Sequence, residues 1–130
     1  MIVNNLYRGR CKGRFVYGEG VCTLKENNAL KKPVGEYIVN ALGEFTKVDD
    51  GTLSQATDCV DYLKRQIFTG DILESRYVIG GTINRGIVKF CQGSYGDMCQ
   101  SSGIGLWLPG VEFAIIGNEW DNPEMAEGLK

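Results

Sequence analysis

The stretch TLSQATDCVDYLKRQI, Thr52 to Ile67, decides whether the chain is read as strands alone or as strands with a helix among them. Leu53, Ala56, Val60, Leu63 and Ile67 follow one another at spacings of 3, 4, 3 and 4, so on a helix they would share one face. Thr52 and Gln55 have the form of a capping box at its start. The pattern predicts an amphipathic helix over residues 52–66, with Asp58, Asp61, Lys64 and Arg65 turned to solvent. Packing against a sheet is the usual use of such a stripe; docking a partner is the alternative.

On both sides the pattern is that of short strands. LYRGRCKGRFVYGEGVCTL, Leu6 to Leu24, carries aromatic and β-branched residues broken by glycines, as in two strands joined by a turn near Lys12-Gly13. Gly35 to Val48 reads as a further extended segment, with Tyr37 and Val39 on one face and Ile38 on the other, and Asp49-Asp50-Gly51 as a turn. After Gly70-Asp71 come ILESRYVI, a turn around Gly80 to Gly86, IVKF, a turn near Gln92-Gly93, and VEFAIIG. Asn122-Pro123-Glu124 has the form of an N-cap, a proline at N1 and a first-turn acid, which predicts a short C-terminal helix. The fold class is therefore mainly β (α+β): a small curved sheet or partly open SH3-like barrel with one inserted amphipathic helix. At 130 residues one domain is expected, with β segments 1–48 and 67–130 flanking the helix.

Composition narrows the chemistry. With 14 Lys and Arg against 16 Asp and Glu, the net charge of -2 supplies no whole-chain field for phosphates, which argues against a nucleic-acid binder. The chain contains no histidine, which removes Ser-His and Cys-His nucleophiles, and its five cysteines form no C-x-x-C pair, so neither a metal site nor a cofactor is expected. No P-loop occurs, and the glycines of GIGLWLPG, Gly103 to Gly110, read as turn glycines. Without an apolar signal or spanning segment, the expected setting is a reducing cytoplasm with free thiols and no membrane partner.

Three places are candidates for function. Tyr7, Arg8, Arg10, Lys12 and Arg14 interleave an aromatic with four cations, read either as a charged strand edge or as a seat for a phosphorylated ligand, with Tyr17 as an aromatic neighbour. Asn118 and Trp120 stand between the last strand and the last helix, where tying the two together is the favoured role and contact with a nucleobase or peptide the alternative. Asp71 after Gly70 reads as a turn residue that satisfies free backbone N–H groups rather than as a catalytic acid.

Four stretches also carry a resemblance. YRGRCKGRFVYG (Tyr7 to Gly18), GEFT (Gly43 to Thr46), IFTGDIL (Ile67 to Leu73) and IIGNEWDNPEM (Ile115 to Met125) stand in the order found in the YopX-like phage protein family, which the chain resembles over nearly its whole length. The resemblance implies a small β-rich protein of phages and prophages, in the cytoplasm of a bacterial host, with no established enzymatic activity. The interval between GEFT and IFTGDIL is usually a short loop in such proteins, and Phe15 stands where a tryptophan is expected. The chain is thus expected to act by binding, not catalysis, in counter-defence or host modulation. It would sequester a phosphorylated small ligand such as a nucleotide signal, or dock a host protein through the inserted helix or Trp107-Leu108. Homo-oligomerisation is expected because short strands leave open edges.

Overall fold

In the computed structural model, which describes residues 6–81, 83–93, 96–101, 104–105 and 109–129 (backbone only at 58, 90–93, 96–101 and 104–105), a two-residue turn sets the first hairpin. Lys12 and Gly13 have φ of 53° and 78°, the mirror-image turn whose twist matches paired strands. It joins β1 (Tyr7–Cys11) to β2 (Arg14–Gly18) in a register running from Cys11 opposite Arg14 to Tyr7 opposite Gly18. Strands β3 (Gly20–Leu24), β4 (Gly35–Val39) and β5 (Phe45–Val48) follow as an antiparallel sheet in sequence order. Asn40 closes the β4–β5 connection, its Oδ1 accepting the N–H groups of Leu42 and Glu44 at 3.0 and 2.9 Å. The extended segment expected from Gly35 to Val48 is therefore a hairpin. Tyr37 and Ile38, expected on opposite faces, are both buried, and the Tyr37 hydroxyl donates to the Pro33 carbonyl at 2.7 Å.

The stretch from Thr52 to Ile67 corrects the sequence reading. Strand β6 (Ser54–Val60) and the short β7 (Gln66–Phe68) stand where a helix was expected, and the residues between them form a tight turn. Three physical reasons decide it. Tyr7 and Arg8 of β1 pair with Gln55 and Ser54, and the Ala56 N–H reaches the Leu6 carbonyl at 2.8 Å, so the backbone groups a helix needs are used across the sheet. The Asp61 carboxylate accepts the N–H groups of Leu63 and Arg65 at 3.0 and 2.8 Å, a local bond pattern that competes with helix. Lys64 has φ of 67°, outside any right-handed helix. Thr52 does not cap a helix either: its hydroxyl donates to the Asp49 carbonyl at 2.6 Å and accepts the Arg10 N–H at 3.0 Å.

The chain forms two compact units that divide at Ala56 and Thr57, inside β6 rather than around an inserted helix. The first has its buried apolar side chains at Leu24, Tyr37, Ile38, Val48 and Ala56. The second holds β8 (Asp71–Tyr77), β9 (Ile83–Gly93), β10 (Gly96–Ser101), β11 (Ile104–Gly105) and β12 (Val111–Asn118) in the order β11-β10-β9-β8-β12. Gly86, expected in a turn, lies within β9 opposite Leu73. The core of this unit is Ile67, Leu73, Val88 and Phe113, with Cys59, Val111 and Ile115 packed against it. The expected C-terminal helix is present as α1 (Pro123–Glu127), with proline in its first turn and Glu124 as first-turn acid. The fold is thus mainly β, with a short C-terminal helix.

Among the described residues no helix is long and apolar enough to cross a membrane. Cys11, Cys22 and Cys59 are free thiols. The Trp107-Leu108 segment and the side chains of Cys91 and Cys99 lie outside the described residues.

Candidate functional site

The hairpin turn at Lys12-Gly13 fixes which candidates meet. In an antiparallel pair, residues directly opposite share a face, and the β1–β2 register puts Arg8 opposite Tyr17 and Arg10 opposite Phe15. These four form one face. Tyr7 and Arg14 belong to the other, together with Gly9, where a Cβ would come within 2.8 Å of Val48 Cγ1. Arg8 and Arg10 thus share a side on which Arg14 does not lie, because the chain reverses at Lys12-Gly13 between them.

Both arginines lie against one ring. Arg8 Cζ is 4.0 Å and Arg10 Cζ 4.6 Å from the Phe15 ring centroid, and Tyr17 is tilted beside that ring with centroids 6.3 Å apart. Stacked guanidinium groups are held by the negative ring face and keep their donors in the guanidinium plane, which is how an arginine presents itself to a planar or tetrahedral anion. Burial divides the roles: Arg8 is only 5% exposed, whereas Arg10 is half-buried and Tyr17 exposed. Arg10 is further positioned by donating from Nη2 to the Gly13 carbonyl at 2.9 Å. Phe15, outside the set of site residues proposed from sequence, is the piece that organises the face. The turn expected near Lys12-Gly13 carried the signal: once it is two residues long, it sets Phe15 across from Arg10.

Charge is divided between the units. The chain up to Ala56 carries eight Lys and Arg against six Asp and Glu, while the rest carries six against ten. The net value of -2 for the whole chain therefore conceals a basic first unit, and the arginine face belongs to it.

Asn118 and Trp120 lie in the second unit, and the Asn118 side chain bonds locally. The Asn118 Oδ1 accepts the N–H groups of Trp120 and Asp121 at 3.1 and 2.9 Å, and its Nδ2 donates to Asp121 Oδ2 at 3.0 Å. Asn122, expected to cap α1 with its side chain, makes no side-chain cap; its Oδ1 accepts the Asn118 N–H at 3.2 Å instead. The Trp120 ring covers Gly70, whose carbonyl accepts the Glu119 N–H at 2.9 Å. Gly70 has φ of 89°, and a Cβ there would run into that ring. Gly70→Ala is expected to cost about 2 kcal/mol or more and to shift Trp120 fluorescence as the ring is displaced. Thermal unfolding followed by fluorescence checks this, and an unshifted spectrum would mean that the ring does not rest there. Asp71 is buried, and its Oδ2 accepts the Phe68 N–H at 2.8 Å, the turn role expected of it.

The remaining buried carboxylate of note is Asp61, which the sequence pattern placed in solvent. Besides the two turn N–H groups it accepts Arg65 Nε at 2.9 Å and the Ile115 N–H at 3.3 Å. Burial pushes its pKa up, but the Arg65 side-chain bond, the Arg65 and Ile115 backbone bonds and the Arg65 charge together hold it below the ordinary value of 3.8. A carboxylate so engaged is a structural brace, not a general base.

A family model described as YopX protein matches residues 7–127. No match was found among curated proteins or among solved structures.

Proposed function

The chain belongs to the YopX family, and on that premise we propose that it is a non-catalytic binding protein that takes a phosphorylated small ligand, such as a nucleotide signal, on the β1–β2 face. The observation that carries this reading is the placement of two guanidinium groups against Phe15, with Tyr17 exposed beside them, in a unit with more cations than carboxylates. Arg10 supplies directional donors to the phosphate, Tyr17 offers a ring for an aromatic base, and Arg8 adds positive potential from behind. Sequestration of such a ligand in the cytoplasm of a bacterial host would serve a phage or prophage in counter-defence. The docking alternative loses its inserted helix, because that segment is strand.

Calorimetry against a panel of linear and cyclic nucleotides, at low and physiological ionic strength, tests the proposal. Arg10→Ala is expected to weaken binding by roughly ten- to a hundredfold, as loss of a charge-assisted phosphate contact does, and Tyr17→Ala by less. Neither substitution empties a core position, so both variants should fold. Arg8→Ala is a poorer probe, since that side chain is buried. No heat from any nucleotide with the wild-type chain would discard the phosphorylated-ligand reading.

A further inference from the structure

Strand β12 pairs with β8 along one side, and its other side is met by a loop rather than by a strand. The Tyr62 N–H donates to the Phe113 carbonyl at 2.9 Å. Two residues on, the Ile115 N–H donates to Asp61 Oδ2 at 3.3 Å, and the Ile115 carbonyl accepts Arg65 Nη2 at 3.0 Å. Asp61 and Arg65 are locked to each other, with Arg65 Nη2 2.7 Å from Asp61 Oδ2. One amide, one carboxylate and one guanidinium therefore offer β12 the donors and acceptors that a neighbouring strand would offer. We infer that the 61–65 loop is a strand-mimicking plug that closes the outer edge of β12 against pairing with β12 of a second copy of this chain.

The geometry of the edge selects a second copy as the excluded partner. Phe113 and Ile115 both turn backbone groups outward, with Ala114 between them turned toward Glu74 of β8. A two-fold axis at Ala114 sets Phe113 of one copy opposite Ile115 of the other, so identical strands meet in an antiparallel register that joins outward-facing groups to outward-facing groups. No other sequence is needed to complete the ladder. The plug is held by its own tight turn, in which the Asp61 N–H donates to the Arg65 carbonyl and the Lys64 N–H to the Asp61 carbonyl, each at 2.9 Å.

The test uses the full chain as Arg65→Ala and as Asp61→Asn with Arg65→Ala, each with and without Ile115→Pro. Proline at 115 removes an N–H that serves the plug and not β8, so it blocks strand addition while leaving the β8 pairing in place. Light scattering at micromolar concentration is expected to show the double variant at twice the wild-type mass, returned to the wild-type mass by Ile115→Pro. In Arg65→Ala, exchange of the Ile115 amide should speed up about tenfold in dilute solution and slow again as concentration rises. The wild-type mass throughout, or added association that survives Ile115→Pro, would overturn the inference. If the double variant does not fold, Arg65→Ala decides, and Ile115 exchange that is unchanged, or equally fast at all concentrations, counts against the plug.

Discussion

Replacing Ile67 by alanine is expected to lower the free energy of unfolding by about 3 to 5 kcal/mol, while Leu63→Ala changes it by less than about 0.5 kcal/mol. The two residues stand four apart, and on a helix they would be equivalent. On this fold Ile67 is 0% exposed among Leu73, Val88 and Phe113, and its truncation leaves a cavity that a sheet core cannot collapse to fill. Leu63 sits in the turn between β6 and β7 and is 55% exposed, so its truncation removes little that was taken from water. Urea unfolding with an unchanged slope is the measurement. Equal losses at both positions would restore the helical face and count against β6.

Asp61→Ala is expected to cost about 2 to 4 kcal/mol, because it strands the N–H groups of Leu63, Arg65 and Ile115 as well as breaking the pair with Arg65. The Asp61 side chain is 0% exposed, but Arg65 remains 49% exposed and its charge can be rehydrated, which keeps the loss below that of a fully buried pair. The same carboxylate gives stability a pH dependence whose sign is fixed. Its folded pKa lies below 3.8, so its contribution is complete above that value and is lost as pH falls through the lower, folded value. Thermal unfolding from pH 6 down to pH 2 should show this acid loss in the wild type and a smaller one in Asp61→Asn. Identical acid profiles for the two proteins would remove Asp61 from this role.

Local signals were legible wherever one or two residues determine the backbone. Lys12-Gly13 marks a turn because two consecutive residues must take positive φ, and Pro123 starts a helix because its fixed φ suits the first turn and its missing N–H is not needed there. Gly70 and Asp71 were readable as a turn for the same reason, and the YopX stretches follow these same turns and strands. The β pattern on both sides of Thr52 to Ile67 likewise needed only β-branched and aromatic residues between glycines.

What stands on pairing between distant residues was not legible. The spacing of 3, 4, 3 and 4 from Leu53 to Ile67 is real, yet Ser54, Gln55 and Ala56 are claimed by Leu6, Tyr7 and Arg8, nearly fifty residues away. A ladder with a distant strand outweighs a helix propensity worth only tenths of a kcal/mol per residue. The candidate site divides in the same way. Sequence alone identified Arg8, Arg10 and Tyr17 as a basic and aromatic cluster, but only the hairpin register put Phe15 under both arginines and turned Tyr7 and Arg14 to the opposite face. Asp61 and Arg65 looked like solvated charges on a helix; they became a brace because the fold brings Ile115 to a turn fifty residues earlier, where a carboxylate and a guanidinium find backbone groups to satisfy.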